Sequence, residues 1–481
     1  MRQPSEDRAL YLRQLRATVT TTFLPELTSA TAVDAAGLVD RILAELIVEE
    51  ECADALSQQF GAEFESLVQG PRTDTDTVTV TPERFGELRR QAAEVVAERA
   101  ASDVVADREL CRRLVGVERR FLERVDELRR AVLDEHPDAD AATSSTECSL
   151  SREQLTDYLR QTLPASPELM VTTREVIPGG RSKETILVSL AGTTELPAEI
   201  IVRKDRPVGI LQTRAADEFA ILQAVYAHGG VPVPQPFFAD ELGAFTLLVM
   251  ERVSGHKAGE YFPDLAAPTE HRHALGEQLA AALAHLHGVP LETLGVSSLD
   301  IDAVVTEATV TAAVEGMCAR IGELSGPPIA AVPLARQWLL DHTADVVPSG
   351  PLHLLQGDVG LHNMLVDGDR VTALVDWEAA TVGPPARELA AAWPAATALM
   401  EWGEFVDAYR AAGGPPEATN ERAVAYYRVF FALGACMSSR TGGHFFRTGA
   451  KRDLLTAHSG LDAHFRAQRN LARALEDALD E

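Results

Sequence analysis

Leu355-Gln-Gly-Asp-Val-Gly-Leu-His-Asn363 and, a little further on, Leu374-Val-Asp-Trp-Glu378 are the most informative stretches of the chain. Between them, two short apolar runs flank Asp367-Gly-Asp-Arg370, a turn signal whose Asp-Gly pair tolerates the backbone angles of a tight turn. This pattern predicts a β-hairpin. A hairpin brings Asn363, before its first strand, close to Asp376, just after its second strand.

Three side chains in these stretches suit phosphoryl transfer. The amide oxygen of Asn363 and the carboxylate of Asp376 are ligands suited to Mg²⁺, which completes its shell with water and nucleotide phosphates. Asp358 lies on the preceding loop, where it would orient an acceptor hydroxyl and take its proton. An isolated D-x-x-x-x-N pattern is more often a plain loop, because Asp, Gly and Asn are common turn formers. The hairpin and the Asp-Trp-Glu motif favour the catalytic interpretation.

These motifs resemble the signature of the aminoglycoside phosphotransferase and choline kinase-like family, H-G-D-x-x-x-x-N followed by I-D-W-E. Gln356 stands where that family usually has His. In Gly383-Pro-Pro-Ala-Arg-Glu-Leu-Ala390, Glu388 stands where it usually has Asp. The resemblance implies an α+β, bilobal protein-kinase-like fold, with a small antiparallel-sheet N-lobe and a helical C-lobe. It also implies Mg²⁺ as cofactor and ATP or GTP as co-substrate.

Strand-like segments that precede these motifs carry candidate nucleotide-binding groups. Gly179 and Gly180 in Pro178-Gly-Gly-Arg-Ser182 would let the backbone approach phosphates closely, although Pro-Gly-Gly is first of all a turn signal. An apolar strand then ends in Arg203 and Lys204, which point to opposite faces of a regular strand. The V-A-I-K pattern favours Arg203 as the cation that holds the phosphates and leaves Lys204 as the alternative.

Two acidic residues complete the candidate nucleotide site. Glu218 lies in the first turn of the helix-like segment 214–227 and resembles the helix-C Glu that pairs with the strand cation, although a Glu near a helix N-terminus is favourable in any case. Glu251 opens Glu251-Arg-Val-Ser-Gly255, which resembles the hinge between the lobes, where backbone amides would contact the adenine. The residue patterns at 231–236 and 247–255 resemble those of the kinase domains fused to some acyl-CoA dehydrogenases.

The sequence predicts four segments of different character. Residues 1–136 have apolar residues at helical spacing and are expected to form an extra N-terminal all-helical domain of unknown role. Small and polar residues at 137–148 indicate a linker. Residues 149–254 would form the kinase-like N-lobe with a leading helix, and 255–481 the helical C-lobe with the catalytic loop and metal site.

The Gly-rich basic stretch 440–447 of the predicted C-lobe is expected to be a turn beside the substrate. The alternative is that it only terminates a helix.

The composition limits which kinds of partner the chain is expected to bind. A formal charge of −28 argues against nucleic acid or an anionic membrane as partner. The five cysteines are scattered without C-x-x-C spacing, which indicates neither a disulfide framework nor a structural zinc site. No apolar run approaches the roughly 20 residues of a membrane span, and no signal peptide is recognised. A cytoplasmic location is therefore expected.

These observations predict a small-molecule O-phosphotransferase that moves the γ-phosphate of ATP or GTP to the hydroxyl of a small substrate. An aminoglycoside phosphotransferase-like enzyme and a hydroxyacid or hydroxyacyl-CoA kinase are the alternatives within this class. A nucleotide-binding regulatory pseudokinase is the alternative from another class. A homodimer or a protein partner through the N-terminal helical domain is left open.

Overall fold

The structure is a computed structural model that divides into two compact units. One, the helical unit, comprises Met1–Thr143, Thr306–Val347 and Arg428–Glu481; the other, the sheet-containing unit, comprises Ser144–Val305 and Pro348–Tyr427. The described residues are 4–27, 30–70, 79–134, 150–177, 183–205, 215–242, 245–259, 271–296, 299, 304–324, 326–348, 350–451 and 454–480. Gly179, Gly180 and the predicted linker 137–148 lie outside the described residues.

Helices form most of the helical unit, and they also occur in the sheet-containing unit. In chain order they are α1 (Pro4–Thr18), α2 (Ala30–Gln69), α3 (Pro82–Arg99), α4 (Val105–Asp134), α5 (Arg152–Thr162), α6 (Ala215–His228), α7 (Arg272–Leu286), α8 (Glu307–Glu323), α9 (Ala331–Asp341), α10 (Pro385–Leu399), α11 (Trp402–Ala411), α12 (Glu421–Thr448), α13 (Leu454–Gly460) and α14 (Asp462–Asp480). Within the described ranges, no helix is both long enough and apolar enough to span a lipid bilayer.

Strands occur only in the sheet-containing unit among the described residues. They are β1 (Met170–Ile177), β2 (Lys183–Ala191), β3 (Glu199–Asp205), β4 (Pro236–Leu242), β5 (Phe245–Glu251), β6 (His256–Lys257), β7 (His353–Leu355), β8 (Met364–Asp367), β9 (Arg370–Leu374) and β10 (Thr381–Gly383). The first five form one antiparallel sheet in the order β1-β2-β3-β5-β4.

The five-stranded sheet buries one face against α5. Alternate strand residues such as Val188 and Val202 pack with Leu155 and Leu159 of that helix, as the two-residue period of a strand requires. The helix begins at a capping box, in which Ser151 and Gln154 satisfy each other's backbone N–H groups. Helix α6 packs on β3, β4 and β5. The predicted antiparallel N-lobe is confirmed.

The hairpin between the two signature motifs is present. Strand β8 pairs antiparallel with β9, with Met364 opposite Leu374. The backbone N–H of Val375 then donates to the carbonyl of Asn363 at 2.9 Å. This bond joins the end of the catalytic loop to the start of the Asp-Trp-Glu segment, as the sequence predicts. The helices α7, α10 and α11 pack together beside it and form a helical lobe.

The helical unit combines three segments that are far apart in the sequence. Helix α14 packs on α4, α13 on α2, and α9 on both α3 and α14. Its core includes edge-to-face contacts of Phe121 with Phe60 and Phe85. The predicted domain boundaries followed chain order, whereas these packing contacts group separated segments, so those boundaries stay a prediction.

The expected basic turn at 440–447 is wrong, because α12 continues through it to Thr448. The glycines there allow helices to approach closely: a Cβ on Gly443 would lie 2.7 Å from the Cα of Gly460 in α13. Arg440 donates to the carbonyls of Gly326 and Pro327, both at 2.8 Å, and is buried. These residues therefore serve packing within the helical unit.

Candidate active site

The catalytic loop connects β7 to β8 and presents Asp358. Gly357 has φ +82°, and a Cβ there would meet the carbonyl oxygen of Ala379 at 2.2 Å, so the loop requires glycine at this position. The side chain of Asp358 is 38% exposed. Its Oδ2 accepts a hydrogen bond from Asn363 Nδ2 at 2.9 Å and lies 3.4 Å from His362 Nε2. Asp358 is thus held on one side and open on the other.

Gln356 links the catalytic loop to the Asp-Trp-Glu segment. Its Nε2 donates to the carbonyl oxygens of Asp376 at 2.9 Å and Val375 at 3.2 Å. Its Oε1 accepts from the backbone N–H of Asp358 at 2.8 Å. A carboxamide donates and accepts at the same time, so this buried Gln supports both parts of the site where the family usually has His.

Glu388, in the first turn of α10, anchors the same loop from the other side. Its carboxylate accepts hydrogen bonds from the backbone N–H groups of Gln356 and, at 3.1 Å, Gly357. The residue is fully buried. Burial raises the pKa of Glu388 to about 7, against the lowering effect of the two N–H donors. The Glu therefore reaches the loop where the family usually has a shorter Asp.

Asp376 lies in an unusual backbone conformation. Its φ of 64° is the only positive φ of a non-glycine residue in the part of the chain that the structure describes. Such strain concentrates at functional sites, where surrounding contacts maintain it. Here Trp377 is buried and donates from Nε1 to the carbonyl of Leu374 at 3.0 Å. The anchored indole and the Gln356 amide thus hold the backbone on both sides of Asp376.

The register of β3 separates the two candidate phosphate cations. Arg203 Nη1 donates to Glu218 Oε1, and its Nη2 donates to Asp376 Oδ1 at 2.8 Å. Lys204 lies on the opposite face, with its Nζ 3.5 Å from Glu184 Oε2. Arg203 therefore joins helix α6 to the Asp-Trp-Glu segment. Its role in binding phosphates stays a prediction.

Burial and charge oppose each other in this ion cluster. Burial raises the pKa of Glu218, and the cations Arg203 and Lys183 act against it. Burial alone would lower the pKa of the Arg203 guanidinium, but the carboxylates of Glu218, Asp376 and Glu378 raise it above its ordinary value. The guanidinium therefore remains charged.

Lys183 is a member of this cluster that the sequence motifs did not reveal. Its side chain is only 2% exposed, and its Nζ lies 3.5 Å from Glu378 Oε2, 3.6 Å from Glu218 Oε2 and 4.0 Å from Asp205 Oδ1. It stands opposite Asp205 in the β2–β3 pair and so on the same face as Arg203. The strand register, once known, was the signal that could have identified it.

The predicted metal ligands have suitable oxygen atoms. Asn363 turns its Nδ2 toward Asp358, and its Oδ1 accepts no hydrogen bond within the described residues. Asp376 engages Arg203 through Oδ1, and its Oδ2 accepts none there either. No three His, Cys, Asp or Glu side chains of the described residues form a metal cage. One amide and one carboxylate, completed by phosphates and water, match the habit of Mg²⁺.

Glu251 lies at the end of β5 and fixes the proline-rich linker. Its N–H donates to the carbonyl of Gln235 at 2.9 Å, and its Oε2 accepts from the N–H of Gln235 at 3.1 Å. These two bonds hold the linker against the end of β5, and the hinge role of this segment stays a prediction. The predicted phosphate-loop glycines, Gly179 and Gly180, lie outside the described residues.

A two-lobed fold with a catalytic loop, a strained Asp and a strand–helix ion pair defines a protein-kinase-like enzyme. The sequence profile of the phosphotransferase enzyme family matches residues 173–427. This span is more than half of the chain, so the chain belongs to the phosphotransferase enzyme family. The predictions of this family and of a kinase-type enzyme are confirmed.

Similar proteins agree with this assignment. Acyl-CoA dehydrogenase family member 11 of Pongo abelii and that of Homo sapiens are each 27% identical over 220 residues, 42% of this chain. The chain spans 27% of the length of these curated relatives. A crystal structure of a candidate aminoglycoside phosphotransferase from Ralstonia eutropha JMP134 superposes with a TM-score of 0.52 at 18% identity, covering 69% of this chain and 98% of that one. That similarity confirms the predicted fold.

Proposed function

We propose that the chain transfers the γ-phosphoryl group of ATP or GTP to the hydroxyl of a small molecule, with Mg²⁺ as cofactor. The observation that supports this most strongly is a single hydrogen-bonded network. It connects Asp358 to Asn363 directly and to Asp376 through Gln356, and Asp376 to Arg203. One network therefore holds the acid–base, metal and phosphate groups that phosphoryl transfer requires.

On the nucleotide side, Arg203 is the proposed phosphate cation and Glu218 its orienting partner. The guanidinium is buried, and its remaining N–H donors suit phosphate oxygens in a forked geometry. Asn363 and Asp376 would hold Mg²⁺, which when bound offsets charge on the phosphate oxygens. Gly179 and Gly180 are proposed to approach the phosphates from the loop before β2.

On the acceptor side, Asp358 is the proposed catalytic residue. Asn363 and the Gln356 amide fix its orientation, while its exposed edge is open to a substrate hydroxyl. The carboxylate would align the hydroxyl for in-line attack and accept its proton. Positioning of this kind lowers the barrier because the reacting groups are ordered before reaction.

Two classes of acceptor are the main candidates, and the experiment below distinguishes them. An aminoglycoside-like acceptor follows from the family resemblance. A hydroxyacid or hydroxyacyl-CoA acceptor is favoured by the curated relatives, which carry the name acyl-CoA dehydrogenase family member 11. The regulatory pseudokinase remains the alternative of another class, although Asp358, Asn363 and Asp376 are all present.

The test is magnesium-dependent release of ADP or GDP, measured with aminoglycosides, macrolides, choline-like amines, hydroxyacids and hydroxyacyl-CoA esters. We expect stimulation by one class, and a loss of about 10²- to 10⁴-fold in Asp358→Ala with nucleotide affinity retained. Asp358→Asn is the matched control for shape, and it should be as inactive as the Ala variant. Turnover that survives both changes would remove Asp358 from the catalytic role. Nucleotide binding without turnover on any acceptor would support the pseudokinase.

A further inference from the structure

We infer that Lys183 is a positioning residue of the phosphate site, which holds the carboxylate of Glu378 so that Arg203 keeps donors for a nucleotide. This inference rests on the proposed function, because it concerns how the same site accepts a polyanion. Lys183 is outside the signature motifs and was identified only from the folded arrangement. In this position it acts through its neighbours and touches no reacting atom.

The geometry makes Lys183 the meeting point of several elements. Its ammonium reaches Glu378 after β9, Glu218 in α6 and Asp205 at the end of β3. Each of these carboxylates is within 4.0 Å of one buried Nζ. A Lys buried this deeply is rare unless it is paired. The arrangement therefore links the sheet, the helix and the loop that carries Asp376.

Glu378 is the carboxylate for which two cations compete. Its Oε2 lies 3.5 Å from Lys183 Nζ and 3.8 Å from Arg203 Nη2. Arg203 already binds Glu218 through Nη1 and Asp376 through Nη2. Without Lys183, Arg203 would have to provide more of the counter-charge for Glu378. A third carboxylate on Arg203 would then occupy donors that the phosphates need.

The charge balance supports the same conclusion. Within the part of the chain that the structure describes, the carboxylates of Glu218, Asp376, Glu378 and Asp205 share the cations Arg203 and Lys183. When nucleotide phosphates approach, Asp376 turns to the metal and Arg203 to the phosphates under the proposed function. Glu218 and Glu378 then depend on Lys183 for their counter-charge. An uncompensated buried carboxylate beside a polyanion weakens binding of that polyanion.

The test is equilibrium binding of fluorescent ATP and GTP analogues to the full chain with Mg²⁺, which requires no acceptor. We expect Lys183→Met to weaken nucleotide binding about 10- to 100-fold and to raise the nucleotide KM more than it lowers kcat. Lys183→Arg, which keeps the charge, should bind within about threefold of the original chain. Adding Glu378→Gln to Lys183→Met should restore binding, because it removes the carboxylate that has lost its partner.

Lys204→Met is the matched control. Lys204 is also a buried Lys and lies beside Glu184, but on the opposite face of β3. We expect this change to cost stability and leave nucleotide affinity unchanged. If Lys183 had a purely structural role, Lys183→Met would likewise cost stability and leave nucleotide affinity unchanged. Adding Glu378→Gln would then not restore the lost stability.

The outcomes separate this inference from the proposed function. If the original chain binds neither analogue, both are overturned. If it binds and Lys183→Met binds within about twofold, only the inference on Lys183 is overturned. Should Lys183→Met fail to fold, Glu378→Gln alone decides: equal or tighter binding supports the inference, and binding about tenfold weaker overturns it.

Discussion

Each unit of the molecule contains a buried ion cluster in which several charged side chains meet, and these two clusters have opposite ratios of acidic to basic groups. In the helical unit, the Asp126 cluster consists of one carboxylate that accepts from Arg129 and Arg130, both at 2.6 Å, and from Arg469. In the sheet-containing unit, the Arg203 cluster combines Arg203 and Lys183 with four carboxylates. Burial of charge is common to both.

The Asp126 cluster has the features of a structural device. It joins α4 to α14, and with Glu45 of α2 it lines a cavity of about 10 Å³, room for about one water. Although burial acts in the opposite direction, the guanidinium groups of Arg469, Arg129 and Arg130 hold the pKa of Asp126 below its ordinary value. All its members come from helices, and the donors converge on one acceptor.

The Arg203 cluster differs in its openness and in its backbone. Asp376 is 36% exposed at its side chain, with one oxygen available, and its backbone has a positive φ. Strand, helix and loop each contribute a charge, so the cluster can respond to a ligand at their junction. The comparison therefore favours the Arg203 cluster as the functional site, because an available oxygen and local strain are typical of functional sites, whereas buried charge alone also occurs in structural clusters.

The largest effect is expected from Asp126→Ala, which leaves the buried Arg129 and Arg469 without their shared carboxylate. Removal of one partner from a buried ion pair costs about 3–5 kcal/mol. Thermal and urea unfolding should show this loss, while nucleotide affinity stays unchanged. Arg130→Ala is the control, because Arg130 is 60% exposed and its pair with Asp126 should contribute under about 1 kcal/mol. Equal losses in both variants would contradict the structural role of the cluster.

A smaller effect is expected from Glu45→Gln. Burial raises the pKa of Glu45 from 4.5 to about 7. Between these values the folded chain retains a proton that the unfolded chain has released, so stability falls as pH rises from about 4.5 to about 7. The Gln variant should therefore be more stable than the original chain at pH 8, by about 3 kcal/mol, and similar to it at pH 4.

Unfolding midpoints measured from pH 4 to pH 8 check this prediction. Burial also raises the pKa of Glu388 to about 7. Because Glu388 is present in both the original chain and the Glu45→Gln variant, the difference between their unfolding midpoints reports on Glu45 alone. A constant difference at every pH would show that Glu45 does not titrate in this range.

The smallest effect is expected from Gln356→Ala. This change removes the hydrogen bonds that join Asp358 N–H to the carbonyls of Val375 and Asp376. We expect kcat to fall about tenfold, on the order of 1.4 kcal/mol. The backbone groups that lose their partner should also lower the free energy of unfolding by about 1–2 kcal/mol. Gln356→His introduces the residue usual in the family and should retain more activity than the Ala variant. Wild-type kcat in Gln356→Ala would show that the bridge is dispensable.

The local motifs allowed much of the sheet-containing unit to be predicted. The Asp-Gly turn fixed the hairpin, and the hairpin brought Asn363 to Val375. The alternation of side chains along β3 limited the predicted phosphate-binding cation to Arg203 or Lys204, but it could not show which of them faces Glu218 and Asp376. That choice depends on pairing with β2, which local spacing does not encode. Lys183 was missed for the same reason.

Long-range packing accounts for what sequence reasoning did not find. From the neighbouring sequence alone, the pair Gly442 and Gly443 indicates a turn. In the structure these glycines allow α12 to approach α13. The grouping of α8, α9 and α14 with the N-terminal helices depends on contacts between segments hundreds of residues apart. Helical periodicity shows that a face is apolar and does not show which partner covers it.

Magnesium-dependent nucleotide binding by the original chain, Asp376→Asn and Asp126→Asn tests most directly that only the Arg203 cluster is a ligand site. We expect Asp376→Asn to lose the magnesium-dependent gain in affinity, about tenfold or more, with little change in melting temperature. Asp126→Asn should keep that gain and melt at a lower temperature. Equal magnesium-dependent affinity in the original chain and Asp376→Asn, or its loss in Asp126→Asn alone, would contradict the assignment of function to the Arg203 cluster.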